Sequence, residues 1–368
     1  MLSRPRSPLA LPSPVGCYRI ATTVLVKVYA GTDAATPLAA IGELARRAEA
    51  AGFDGIHVSE TVHDPFMLAL LALRATERII VRTSVAVAFI RSPMLTAYTA
   101  WDLSALSGGR FQLGLGSQVR QNIEDRYAMP WAAAPAARMR EYVEVVRAGF
   151  ETFRTGALVP FHGEHYHFSR MQPYFNPGPD PVTSAPLIYL GGVGPRICEA
   201  AGACADGMVT HPTNSDPQYL STVCAPSLAA GARDASRTLE DFEIVAGLQV
   251  ITGATDDDVI RERARRRRLF AFLYSTPAYR GALERNGFHG LQGELAELVR
   301  SDQWQRLPGV VTDEVLDVLV PTARYDALAS TIHDHLGPAA QGVAISLPEN
   351  PDHDHHVADV VRELQSKP

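Results

Sequence analysis

Within five residues, the stretch "ETVHD" sets Glu60, His63 and Asp64 side by side. A histidine among carboxylates is suited to moving protons near neutral pH, because its ordinary pKa lies close to that range and a neighbouring acid tunes it. Asp64 directly precedes a proline, the arrangement that opens a capped helix, so it reads as an N-cap. His63 and Glu60 remain as the candidate proton donor or acceptor. A second stretch, "IYLGGVGPRICEA", runs an apolar strand into Gly191, Gly192, Val193 and Gly194 and then into a helical pattern opened by Pro195. A strand, a glycine turn and a helix N-terminus together make an anion site, since unpaired N–H groups point outward at the positive end of the helix dipole. One glycine would serve a turn at positive φ; three in four residues suit close approach of the backbone to a phosphate.

Other clusters carry less. "HGEHYH" (162–167) is spread by the alternation of a hairpin, and "PDHDHH" (351–356) reads as an exposed polar loop. Neither has the carboxylate–histidine spacing of a metal motif, so no metal is expected. The run "RERARRRR" (261–268) follows three aspartates and reads as a solvated helix face. Tyr127 and Trp131 in "RYAMPW", and His211 just past an apolar run, are candidate walls of a substrate pocket.

These residues need a scaffold, and the rest of the chain describes one. At 368 residues and 46% hydrophobic, it can bury one large core or two smaller ones. A net charge of -6 excludes nucleic acid as the main partner. The four cysteines show neither CxxC spacing nor secreted-framework density, which suits reduced thiols in the cytoplasm. The N-terminal apolar stretch is short and broken by Pro8, Pro12 and Pro14, so it is neither a signal peptide nor a membrane span; residues 1–15 read as a flexible arm. From there β-branched runs alternate with helical patterns. Strands are expected at 18–28, 55–59, 78–89, 110–116, 187–190, 207–210, 242–251 and 342–348, with helices opening at Thr36-Pro37, Asp64-Pro65 and Ser92-Pro93. A doubly wound sheet would carry its nucleotide glycines after the first strand, where "KVYAGTDAATP" has no such fingerprint. The chain therefore reads as α/β, a single (β/α)8 TIM-type barrel over 16–368 with insertions after strands four and seven. The glycine turn after strand five then lies on the C-terminal face, where barrels build their active sites.

Four segments, "AEAAGFDGIHVSE", "RTSVAVAFIRSP", "LSGGRFQLGLGS" and "IYLGGVGPRICEAAGACADG", resemble the bacterial luciferase-like superfamily in its deazaflavin branch, which uses coenzyme F420. The likeness covers nearly the whole chain. It implies a cofactor phosphate on the backbone of Gly191, Gly192, Val193 and Gly194. It also implies a bulge with a non-proline cis peptide at Ser84-Val85, with Ala86 next, propping the middle ring of the cofactor. Ser117 and Asn122 match positions that contact the ribityl or phosphate part, and Arg120 is a candidate for the anionic tail. In the glucose-6-phosphate-oxidising relatives an acid is followed directly by a catalytic histidine; here Thr61 follows Glu60 and the histidine comes two residues later, which argues against sugar-phosphate oxidation by that route. The resemblance implies an oxidoreductase that passes a hydride from reduced F420 to an activated C=C or C=N bond of a small metabolite, with His63 or Glu60 handling the proton. F420-dependent alcohol oxidation uses the same parts, and an FMN-dependent monooxygenase of the same superfamily is the alternative. Family members pair through the helices after strands two and three, here "DPFMLALLALRA" and "PMLTAYTAWDL", so a homodimer is expected.

Overall fold

Apolar runs too short for helices, alternating with helices, wind into a closed ring of parallel strands in a computed structural model that describes residues 26–131, 133–180 and 184–366. The barrel strands are β1 (Lys27–Gly31), β2 (Gly55–Val58), β3 (Ile80–Thr83) with its short continuation β4 (Ala86–Val87), and β5 (Phe111–Gly116). A hairpin, β6 (Phe161–His162) with β7 (His167–Phe168), interrupts the series. It resumes with β8 (Ile188–Gly191), β9 (Gly207–Val209), β10 (Glu243–Gly247) and β11 (Gly342–Ser346). Strand order runs β3-β2-β1-β11-β10-β9-β8-β5, and β3 pairs with β5 to close the ring. Counting β3 and β4 as one, that is the expected eight-stranded α/β barrel. Burial along almost every strand residue is what a parallel sheet covered on both faces requires.

The outer layer is α1 (Ile41–Ala50), α2 (Pro65–Ala75), α3 (Pro93–Ser107), α4 (Pro135–Thr155), α5 (Pro195–Cys204), the single turn α6 (Pro217–Tyr219), α7 (Ala225–Asp234) and α8 (Asp256–Tyr274). The insertion after β10 is helical as expected, with α9 (Arg280–Arg285), α10 (Leu291–Arg300), α11 (Leu307–Val310) and α12 (Asp313–Leu319). Phe270, Tyr274, Leu283, Leu295 and Leu316 give it a core of its own. Then come α13 (Tyr325–Leu336) and α14 (Asp354–Ser366). None of the helices described is long and apolar enough to cross a membrane.

Several boundaries differ from expectation. The arm at 1–15 and residues 18–25 of the first strand lie outside the described residues. Thr36 caps nothing: Pro37 leads into a single 3-10 turn, and α1 begins at Ile41. Asp64 does cap α2, accepting from Phe66 N at 2.9 Å and Met67 N at 3.3 Å. The run at 242–251 leaves the sheet at Gly247, and beyond it only Ile251 makes a bridge, to Thr322. The "PDHDHH" tract opens α14 rather than forming a loop. The arginine run is a solvated face only in part: Arg261 and Arg268 are exposed, whereas others are paired or buried. Arg263 pairs with Asp313 and Asp317 of α12, Arg267 also pairs with Asp313, and Arg266 is only 6% exposed.

The interior of the barrel is plugged by a polar cluster that sequence reasoning missed. Arg82, 0% exposed, reaches Glu243 Oε2 (3.1 Å), the Tyr29 hydroxyl (3.1 Å), Gln112 Oε1 (2.5 Å) and His57 Nε2 (3.1 Å). Tyr29 and Tyr189 both donate to Glu243, at 2.9 and 2.6 Å, and their rings pack on the guanidinium. A charge taken out of water this completely survives only when paired and hydrogen-bonded on all sides. The signal was present: an arginine inside the apolar run "RIIVRTSVAV" needs a buried partner. Its members all belong to the barrel strands rather than to the loops of the mouth, and their polar groups are taken up by one another, so its role is structural.

Candidate active site

At the mouth, the chain leaving β2 is pinned by its own carboxylates. Glu60, with a side chain only 6% exposed, accepts Val87 N–H at 2.7 Å and takes Arg91 in a two-point grip, Nη1–Oε2 2.7 Å and Nη2–Oε1 3.0 Å. The same Arg91 reaches Asp64 Oδ2 at 2.8 Å. Arg91 was not among the expected site residues, because it meets Glu60 and Asp64 only once β2 and β3 pair and the segments that follow them come together. Its effect is to commit Glu60 to holding two loops together. His63 is half-buried and has no hydrogen-bond partner among the described residues.

The chain leaving β5 joins that loop. Residues Asn122–Arg126 form a π-helical turn, and the Arg126 guanidinium donates to Thr61 O. Tyr127 faces Glu60, and burial together with that carboxylate raises its hydroxyl above the ordinary tyrosine value. Tyr127 is therefore a protonated donor across the neutral range. Ser117 follows directly on β5, and the Asn122 carbonyl accepts Tyr127 N–H at 3.0 Å. Arg120 stands apart, paired with Glu124 at 2.8 Å on the surface with 69% of its side chain exposed.

Between these loops and β8 sits the bulge. The Ser84–Val85 peptide is cis. The Val85 side chain packs where two glycines leave room: a Cβ on Gly116 would lie 2.5 Å from Val85 Cγ2, and one on Gly191 would lie 2.7 Å from Val85 Cγ1. Gly116 and Gly191 are register partners in the β5–β8 pair, so Val85 spans both strands at the mouth, with Ala86 starting β4. Ser59 Oγ donates to Ser84 O at 2.9 Å and ties β2 to the same bulge.

The glycine loop divides by role. Gly191, Gly192 and Gly194 all lie outside the left-handed region, so a positive-φ turn does not explain them. Gly191 makes room for Val85. Gly192 makes room for Ile197 of α5, whose Cγ2 would lie 2.4 Å from an added Cβ. Gly194, extended at φ -98° and ψ 155°, has nothing within 4 Å of an added Cβ and stands as N-cap of α5. Gly194 thus presents backbone to open space at the positive end of a helix, directly after Val193, the arrangement that binds anions.

His211 lies next door. Gly191 pairs in parallel with Val209, and His211 follows the end of β9 by two residues as Val193 follows the end of β8. His211 Nδ1 lies 2.8 Å from Thr213 Oγ1 and 3.3 Å from Thr213 N, and its Nε2 faces the Tyr279 hydroxyl at 3.4 Å. The two rings stack at 4.8 Å, and burial pushes His211 down to about 4. It is a neutral hydrogen-bonding ring rather than an acid. Tyr279 comes from the helical insertion, which sequence reasoning had not linked to this face. Trp131 packs edge-on against Phe89 beyond β4, at 6.0 Å between centroids.

A family model described as luciferase-like monooxygenase matches residues 19–335. The chain belongs to that family. The luciferase-like match takes in seven of the eight barrel strands and the whole helical insertion. An uncharacterized protein of Mycobacterium tuberculosis is 39% identical over 298 residues, covering 79% of this chain and 87% of the relative. The F420-dependent glucose-6-phosphate dehydrogenase of Beutenbergia cavernae is 31% identical over 216 residues, 55% of this chain and 61% of the relative. Among solved structures, the coenzyme F420-dependent tetrahydromethanopterin reductase of Methanopyrus kandleri superposes with a TM-score of 0.75 at 21% identity, covering 92% of this chain and 98% of that one. At that identity the likeness speaks for the fold.

Proposed function

We propose that this luciferase-like chain is an F420-dependent oxidoreductase that reduces an activated C=C or C=N bond of a small metabolite. The observation that carries the reading is the Val85 ledge, seated over Gly116 and Gly191 between the His63 loop and the N-terminus of α5. A flat ring resting on that ledge has one face against protein and the other toward the mouth. The open backbone at Gly194, next to Val193, suits the cofactor phosphate, and Ser117 and Asn122 are within the segment that would meet the chain joining phosphate to ring. When bound, F420 supplies the hydride; the protein supplies orientation, a dry pocket and a proton.

His63 is the residue proposed to move that proton. Glu60 is spent on Arg91 and Val87 N–H, so its part is to position the loop. Tyr127, Trp131 and His211 wall the substrate side, with Tyr127 and His211 offering hydrogen bonds. Arg120 is better read as a surface ion pair than as a contact to the cofactor tail. The sugar-phosphate relative does not supply the substrate, because Thr61 stands where its acid–histidine pair would continue.

The helix α2 exposes Met67 (58%), Leu70 (41%) and Leu71 (40%) at i, i+3 and i+4, and α3 exposes Leu95 (60%), apolar surface that water disfavours. We read it as the face of a homodimer, which light scattering at working concentration tests: a monomeric mass contradicts it. The described cysteines, Cys198, Cys204 and Cys224, are free and buried, in keeping with a reducing, cytoplasmic setting. The test of the activity is oxidation of reduced F420, followed by absorbance, on adding a panel of cyclic enones and imines. Consumption with at least one member is expected; consumption only in the presence of oxygen, with no substrate reduced, would turn the reading toward a monooxygenase.

A further inference from the structure

The arginine run of α8 turns one stripe onto a cavity that the site above does not use. Arg261, Arg265 and Arg268 recur at i, i+4 and i+7, with Arg266 beside them, and together with Tyr325 and His353 they line a space of about 410 Å³ past the C-terminal ends of β10 and β11. The glycine loop instead follows β8, so the two places stand at different strands of the mouth. The loops after the last two strands are a recurrent phosphate position in (β/α)8 barrels. Arg266 is buried and fixed, with Nε 2.5 Å from Glu262 Oε1. Arg261 pairs with Asp258. The other two are available: Arg268 has no ion-pair partner among the described residues, and Arg265 is held by Glu349, whose side chain is 83% exposed, with Asp33 and Glu262 more distant at 3.7 and 3.8 Å.

We infer that this cavity binds a phosphate-bearing small molecule, with Arg265 and Arg268 taking the phosphate and Glu349 standing in for it otherwise. Four arginines face three lining carboxylates, a local positive excess on a chain whose net charge is -6. The guanidinium fork matches phosphate oxygens two at a time. A monocarboxylate would only exchange like for like with Glu349, whereas a dianion that reaches both Arg265 and Arg268 gains over it. The volume is that of a small-molecule site rather than of a bare ion, and Tyr325 and Leu347 offer apolar wall to the remainder of the ligand.

The test is calorimetric titration of the full chain with inorganic pyrophosphate, alongside a separate titration with F420. Pyrophosphate is expected to bind, at least tenfold more weakly when Arg265→Ala and Arg268→Ala are combined, and at least twofold more tightly in Glu349→Gln, while F420 affinity is unchanged in both. Glu349 is exposed, so that variant folds whatever happens to the double one, whose fold is checked by its melting curve. No binding by the wild-type chain, an unchanged affinity in the double variant, or no tightening in Glu349→Gln overturns the inference. So does a parallel loss of F420 affinity, which would assign the cavity to the cofactor. The pyrophosphate arms decide the matter even in a chain that does not bind F420.

Discussion

His63 and Glu60 look equivalent in the sequence and are opposites in the fold. Glu60 is locked by Arg91 and by Val87 N–H, whereas His63 has no partner among the described residues. If His63 moves the proton, His63→Ala should lower turnover by roughly 10²–10⁴-fold with cofactor affinity within about twofold; most of the turnover retained would remove it from the mechanism. Glu60→Gln should instead act on stability, losing roughly 1–3 kcal/mol in denaturant unfolding as the largely buried Arg91 loses its charged partner. A fall in turnover with no loss of stability would return Glu60 to the chemistry. The candidate residues were legible as types at the mouth of a barrel, and Ser84-Val85 as the place of the bulge. Arg91 and Tyr279 were not, because each meets its partner only through tertiary folding, across 31 residues for Glu60 and 68 for His211.

The strand–loop–helix unit from β8 to α5 carries the anion-site argument, and its glycines are not interchangeable. A bulky residue at Gly192 would collide with Ile197 and disturb α5 whether or not a phosphate binds there. Gly194 separates the two effects. Its extended backbone accepts any residue and its Cβ direction is open, so Gly194→Val should cost about 1 kcal/mol, through a poorer N-cap, and leave the fold intact. If the cofactor phosphate lies against this loop, F420 affinity should fall at least tenfold in that variant; an unchanged affinity would leave the loop as packing alone. At this scale the alternation of runs and caps made the strands legible to within a few residues. The end of β10 was not, because the run stays apolar past Gly247: Leu248 and Val250 still pack in the barrel core after the chain has left the sheet, and Ile251 joins the core of the insertion.

Across the whole molecule, three described histidines are kept neutral. His57 sits well below its ordinary value through burial and then Arg82, His211 is pushed to about 4 by burial, and His335 is lowered by burial against a weaker opposing pull from Asp216. Each binds a proton in the unfolded chain below about pH 6.5 and resists it in the folded one. Their stabilisation is therefore complete above that pH and is lost as pH falls toward the folded values. Glu243, which burial would raise but Arg82 and the tyrosines hold below the usual carboxylate range, adds a loss only under more acid conditions. The urea midpoint should be level from pH 7 to 8 and decline steadily from about 6.5 to 5; a flat profile down to pH 5 would contradict this. The central claim is the cofactor, and parallel equilibrium titrations of the purified chain with F420 and with FMN test it most directly. The account predicts saturable F420 binding at least tenfold tighter than FMN binding, and a chain that purifies with stoichiometric FMN and shows no affinity for F420 would contradict it.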